Sequence, residues 1–257
     1  MFEKTKRLTT DDLDNMAKSC KYDWSIDNVE DVMIENKNTE EDPNEFLTVK
    51  HPFRMIIIGR SGSGKTILTM NLLLKYLKYD CLYVICSTVK LQPKYDLICD
   101  LAELFPSKFR VLTSLNSFDI NKVNKNKRNI ILLDDIQELD EDNMKKVNNI
   151  YVRGRHHNIS VIWLGQSYYK TPIRSRGSAN IFVFFKVNST KELRRIHGEV
   201  CSDLSADAFT KLFREATEEQ EGDPSSKFGC LVIDSEQKQD CLRYRRNFKQ
   251  LYLQNLD

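Results

Sequence analysis

The run Phe53-Arg54-Met55-Ile56-Ile57-Ile58 leads into Gly59-Arg60-Ser61-Gly62-Ser63-Gly64-Lys65-Thr66, and an amphipathic stretch with Leu68, Leu72 and Tyr76 at helical spacing follows to Leu77. An apolar strand, a glycine-rich turn and a helix are thus read in succession. The turn fits the pattern GxxxxGK[ST] in the context that gives the pattern meaning. Glycines let the loop curl so that successive N–H groups face inward as an anion nest, and the helix start adds its positive dipole end. Gly59, Arg60, Ser61, Gly62, Ser63, Gly64, Lys65 and Thr66 are therefore expected to cradle the phosphates of ATP. Lys65 would reach the β and γ phosphates, and the Thr66 hydroxyl would bind Mg²⁺.

Outward from this stretch, short continuous apolar runs recur at 81–86 (CLYVIC), 129–135 (NIILLDD), 159–165 (ISVIWLG) and 181–187 (IFVFFKV). Runs of this form suit parallel strands buried on both faces. Helical patterns separate them, one at 65–77 and another near 143–151. A final pair at 228–234 and 241–248, divided by the polar turn SEQKQ, reads as a hairpin at the sheet edge. The expectation is a three-layer α/β fold with a mainly parallel central sheet, of the P-loop NTPase kind.

The run 129–135 ends in Asp134-Asp135. An acid at the end of a neighbouring strand is the second half of such a site, and Asp134 is expected to hold Mg²⁺. Asp135 stands where a glutamate usually orients and deprotonates water, with Glu138 in reserve. Asp134 lies 69 residues beyond Lys65, room for 81–86 and a further strand near 109–113 to intervene. That spacing indicates the additional-strand ATPases. The GTPase branch is disfavoured because Asn124-Lys125-Asn126-Lys127 carries lysine where the guanine-reading aspartate belongs. Gln166, directly after 159–165, is placed to sense a γ-phosphate or attacking water. Arg153 and Arg155, just before that strand, are candidates for a finger reaching into a neighbouring subunit's site.

The chain has 257 residues, enough for one large domain or for one with an appendage. Its 39 basic and 37 acidic side chains nearly cancel, which excludes binding of nucleic acid by bulk charge and leaves only local patches. Residues 1–50 read as an acidic N-terminal arm with a short helix near 10–19, and 51–257 as the motor domain. That arm is either a solvated leader or a docking segment for a neighbour. Seven cysteines without CxxC spacing argue against zinc or a disulfide framework, with Cys81 and Cys86 read as core residues. With no apolar run near the ~20 residues that span a bilayer, the chain reads as intracellular, not secreted and without a membrane-spanning segment.

GRSGSGKT, the LLDD strand end, RGRHHNIS leading into VIWLGQS, then RSRGSANIFVFF and YRRNF resemble, in this order, the genome-packaging ATPases of poxviruses, other large DNA viruses and virophages, within the FtsK/HerA superfamily. The resemblance spans about residues 50 to 250. It implies a RecA-like, FtsK/HerA-type motor working as a homo-oligomeric ring, pentamer or hexamer, that threads double-stranded DNA into a preformed capsid. Partners at a capsid portal or vertex, and residence in host cytoplasm or a viral factory and transiently at the assembling virion, follow from the same resemblance. It also implies the sensor role of Gln166 and the trans role of an arginine before its strand. Candidate DNA contacts are Lys122, Lys125, Lys127 and Arg128 before the acid strand, Lys170, Arg174 and Arg176 after Gln166, and Arg243, Arg245 and Arg246 near the end. Such contacts position a backbone without reading sequence. The alternatives are another additional-strand motor, such as a helicase or a partitioning or transposition ATPase, and a slow-hydrolysing assembly switch.

Overall fold

The computed structural model describes residues 49–136, 140–219, 227–237, 243–248 and 250–251. Residues 1–48, which hold nearly all of the expected arm and its short helix, and Glu138 lie outside the described residues. So do Cys20 and Cys241.

Among the described residues, nine strands form one sheet: β1 (Arg54–Ile58), β2 (Cys81–Cys86), β3 (Phe109–Leu112), β4 (Asn129–Asp134), β5 (Ile159–Gly165), β6 (Ile181–Phe185), β7 (Cys230–Asp234), β8 (Tyr244–Arg246) and β9 (Gln250–Leu251). Their spatial order is β3-β2-β4-β5-β1-β6-β7-β8-β9. The first six in this row pair in parallel, and β7, β8 and β9 add antiparallel pairs at one edge. The expected closing hairpin is therefore present as β7 and β8. The two strands expected between the motifs along the chain are present as β2 and β3. Between the glycine-loop strand β1 and the acid strand β4 sits β5, which follows the acid in sequence, whereas β2 and β3 lie outboard of β4.

Helices cover both faces: α1 (Lys65–Asn71), α2 (Asp96–Leu104), α3 (Glu141–Arg153), α4 (Ile173–Ser178), α5 (Thr190–Val200) and α6 (Ala206–Thr217). Alternate residues of each strand serve opposite layers. Ile56, Ile58, Ile131, Leu133, Val161 and Trp163 pack with α3, α5 and α6 residues such as Tyr151, Ile196 and Phe213. Met55, Ile57, Ile130, Leu132, Ile162 and Leu164 face Leu68, Met70, Ile98 and Leu101 of α1 and α2. Burial on both faces is why these strands read as unbroken apolar runs. The helix expected over 65–77 is α only to Asn71. Leu72–Tyr76 winds as a π segment, closed by the Leu77 N–H donating to the Leu72 carbonyl at 2.8 Å.

Some basic residues proposed for DNA contact are structural instead. Arg176 on α4 is 5% exposed, and its guanidinium lies 4.9 Å from the centre of the Tyr168 ring. Its Nη1 donates to the Tyr168 carbonyl at 3.0 Å, and its Nε sits 3.4 Å from Glu199 Oε2 as an ion pair without hydrogen-bond alignment. Arg245 and Arg246 on β8 are buried, and Arg243 pairs with Asp203 and donates to the Val200 carbonyl. Burial lowers the pKa of Arg245, opposed by the charge of Asp234. Arg243, half-buried, ties β8 to the end of α5, and the buried Arg176, Arg245 and Arg246 present no face to a duplex.

Among the described residues, no helix is long and apolar enough to cross a membrane, and no group of three or more His, Cys, Asp or Glu side chains is placed to hold a metal ion. The cysteines described (81, 86, 99, 201 and 230) are free thiols, with Cys81 and Cys86 buried in the core as their apolar setting predicts.

Candidate functional site

Four strands deliver the site from their C-terminal ends, the side of an open α/β sheet where ligands bind. β1 runs into the glycine loop, β4 ends in Asp134 and Asp135, β5 ends at Gly165 before Gln166, and β2 leads into residues 87–95. Pairing locks these ends together: Ile58 lies beside Gly165, and Cys86 beside Asp134. The Gly59 N–H also donates to the Gly165 carbonyl at 3.1 Å, tying the loop to the strand that carries Gln166.

The loop needs glycine for two different reasons. A Cβ on Gly59 would lie 2.5 Å from Ser63 Oγ and 2.8 Å from Phe185 Cβ, so the β1 exit has no room for one. Gly64, immediately before α1, has φ of 95°, which L side chains rarely adopt. From this turn the first N–H groups of α1 point out of the helix without intrahelical acceptors. Lys65 folds back over the loop, its Nζ donating to the carbonyls of Gly59 at 2.6 Å and Arg60 at 2.7 Å. Burial lowers its pKa to about 8, with Asp134 opposing and Lys94 reinforcing the shift.

Asp134 is 8% exposed. Its Oδ2 accepts from the Tyr95 hydroxyl at 2.5 Å, and its Oδ1 accepts from the Asp135 N–H at 2.9 Å. Burial raises its pKa, partly offset by the Tyr95 bond and by Lys94. Asp135 has φ of 53°, a left-handed conformation that aspartate tolerates better than most residues. The Thr88 hydroxyl donates to Asp135 Oδ2 at 2.7 Å and in turn accepts from Gln92 Nε2 at 2.5 Å. Lys94 Nζ donates to Thr66 Oγ1 at 2.9 Å. One segment, 87–95, therefore touches Thr66, Asp134 and Asp135. It consists of the 3₁₀ turns Val89–Leu91 and Pro93–Tyr95, and the sequence reading assigned it nothing.

These groups share a cleft of about 820 Å³ lined by the glycine loop from Ser61 to Ile67, Gln92, Lys94, Asp134 to Ile136, Met144, Trp163 to Ser167, Lys170, Thr171 and Phe228. Gln166 is exposed on its wall. The turn after it is fixed because Ser167 Oγ and the Tyr168 N–H both donate to Glu192 Oε1 of α5, at 2.9 and 2.5 Å. Thr66 Oγ1 and the Asp134 carboxylate are hard oxygen donors that line the same cleft and suit Mg²⁺, which takes one or two protein oxygens and shares the rest with phosphates and water. Among the described residues, Ser63 Oγ and Trp163 Nε1 are buried polar atoms of the cleft-lining residues without a hydrogen-bond partner, as a polar occupant would require.

The remaining expected residues fall elsewhere. Arg153, at the end of α3, and Arg155, in the 3₁₀ turn Gly154–His157, are exposed and precede β5. They thus lie toward the end of the sheet opposite their own glycine loop. Lys122, Lys125, Lys127 and Arg128 are exposed before β4, toward that same end, with Arg128 Nε 3.4 Å from Asp80 Oδ2. Lys170 belongs to the cleft, and Arg174 is exposed on α4. Lys94, Tyr95, Thr88 and Phe228 carry no motif. For Lys94, Tyr95 and Thr88 the only signal is positional: a polar segment leaving the strand beside the acid strand must cross the acid's end.

The family model described as Poxvirus A32 protein matches residues 44–202. The chain belongs to this family. Among curated relatives, "DNA packaging protein OPG160" of Variola virus is 29% identical over 163 residues, covering 54% of this chain and 55% of the relative. Its counterpart in Monkeypox virus is also 29% identical, with 50% of the relative covered. The chain thus spans about half the length of the curated relatives it matches. Among solved structures, the genome packaging NTPase B204 of Sulfolobus turreted icosahedral virus 2, in complex with ATP-gammaS, aligns with a TM-score of 0.51 and 17% identity over 79% of this chain and 100% of B204. B204 described as the DNA-packaging ATPase of Sulfolobus Turreted Icosahedral Virus gives 0.51 and 16% over the same shares. At such identity the likeness is one of fold, and it places this A32 chain in the P-loop ATPase architecture.

Proposed function

We propose that this chain is an ATP-driven motor that packages double-stranded viral DNA into a preformed capsid. The observation that carries the reading is the convergence, in one cleft, of the glycine loop with Lys65 and Thr66, the acids Asp134 and Asp135, and Gln166. Packaging proteins in the same family, and a packaging ATPase with the same fold, supply the coupling to DNA. In this reading Lys65 leaves the loop carbonyls for the β and γ phosphates, where charge-assisted bonds are stronger. Thr66 and Asp134 would hold Mg²⁺, which when bound neutralises phosphate charge as it builds in the transition state. Tyr95 orients the Asp134 carboxylate, and Thr88 orients that of Asp135.

Asp135 or Glu138 activates the attacking water, and Gln166 reports the state of the terminal phosphate. Arg153 or Arg155, remote from its own loop, would serve the neighbouring subunit of a pentameric or hexameric ring. With Arg176, Arg245 and Arg246 buried and Lys170 in the cleft, the exposed Lys122, Lys125, Lys127, Arg128 and Arg174 remain for phosphate contacts. Action in host cytoplasm or a viral factory, docked at a capsid portal or vertex, completes the reading. In the assembled oligomer, ATP hydrolysis is expected to rise several-fold with linear double-stranded DNA. A rate that ignores DNA would sink the proposal.

A second reading, a slow nucleotide-dependent switch, is favoured by the conformation of Asp135, whose short carboxylate is already engaged by Thr88. Single-turnover hydrolysis by Asp135→Asn and Glu138→Gln decides between them. A general base contributes roughly 10²- to 10⁴-fold, so a fall of that size in one variant identifies the motor's base. A slow rate unchanged in both supports the switch.

A further inference from the structure

Lys94 lies on no recognised motif, yet its ammonium occupies the most consequential position in the cleft. Nζ donates to Thr66 Oγ1 at 2.9 Å, near enough to Asp134 and Lys65 for its charge to act on both. Thr66 and Asp134 are the two oxygens a divalent cation would share. Lys94 is held there from both sides. Pro93 begins its 3₁₀ turn with φ fixed by the ring, and the next residue, Tyr95, is wholly buried with its hydroxyl on Asp134. The position is therefore set by the fold, and Lys94 is only half-buried, so its four-carbon stem can swing without disturbing Tyr95.

We propose that Lys94 is a built-in counter-cation that takes the divalent metal's place between Thr66 and Asp134, and yields it when a metal–nucleotide complex binds. An ammonium and a dication cannot share one hydroxyl at contact distance, because like charges that close repel strongly in a cleft of low dielectric. Without metal, a nucleoside triphosphate would bring its phosphates up to the buried Asp134 carboxylate, and Lys94 supplies the charge that makes this tolerable. With metal, that service is redundant. Lys94 thus lowers the metal dependence of nucleotide binding.

The inference rests on the nucleotide-site reading above, and the test separates the two. A fluorescent ATP analogue is titrated into the full chain in excess Mg²⁺ and in EDTA, for the wild type, Lys94→Met and Lys94→Arg. The expected result is that Lys94→Met weakens binding in EDTA at least tenfold and leaves binding in Mg²⁺ within about twofold, while Lys94→Arg keeps the wild-type ratio. Equal weakening of Lys94→Met under both conditions, or no weakening in either, overturns the counter-cation role and leaves the nucleotide site standing. Failure of the wild type to bind the analogue under either condition overturns the nucleotide-site reading, and the inference with it.

Discussion

Lys65→Ala is expected to lower ATP hydrolysis by about 10²- to 10³-fold or more, the loss typical when one preorganised stabiliser of transition-state charge is removed. Folding is expected to survive. Lys65 spans no two elements of the core; it bonds two carbonyls of its own loop, at Gly59 and Arg60. Its lowered pKa makes a second, independent measurement possible. Because burial brings the folded value to about 8 from an ordinary 10.5, the unfolded chain binds more protons than the folded chain between those values. Stability must then rise with pH across that window. The depressed lysine is a liability fully present below about pH 8, and it is relieved as pH climbs towards 10.5. Thermal melting of the wild type, compared with Lys65→Ala without nucleotide, should show the wild type gaining on the variant from about pH 8 upward. A difference that stays flat with pH would mean that the ammonium is better solvated than its position implies.

How far the site could be read from sequence depends on whether a residue's role is set by its neighbours in the chain or by neighbours in the sheet. β1, β2, β4, β5 and β6 were legible because each is buried on both faces, which leaves an unbroken apolar run. The glycine loop was legible because its work is done by consecutive backbone groups. Asp134 was legible because it ends an apolar strand. Lys94 and Tyr95 were not, since their importance arises only when β2 pairs with β4 and brings segment 87–95 across the acid's end. Lateral order in the sheet was hidden in the same way. Residues between Lys65 and Asp134 do contain two further strands, yet the strand that separates β1 from β4 comes from later in the chain. Spacing along a sequence carries no lateral order.

Charge was the least legible property, and Arg174 and Arg176 make the point experimentally. Two residues apart on the six-residue α4, they were indistinguishable as candidate phosphate contacts. The helix turns one outward and the other into the core. There Arg176 stacks on Tyr168, a fully buried ring that itself packs edge-on against Phe182 and Phe184. It also satisfies the Tyr168 carbonyl and offsets Glu199, which accepts from Arg195 Nε at 2.8 Å as well. Arg176→Ala would leave a cavity beside Tyr168, an unsatisfied carbonyl and an acid with one partner fewer. Glu199 is partly solvated, so the penalty is smaller than for a fully buried pair. A cost of about 2–4 kcal/mol is expected, below or within the range for losing one partner of a buried pair. For a domain of this size that corresponds to a fall in melting temperature of roughly 5–15 °C. Arg174→Ala should stay within about 0.5 kcal/mol of the wild type, as exposed substitutions do. If Arg174 touches DNA, the variant should instead reduce the salt dependence of duplex binding by about one counterion. Two variants that melt alike would show that Arg176 is not the keystone between α4, Tyr168 and α5, and would restore it as a candidate for the duplex.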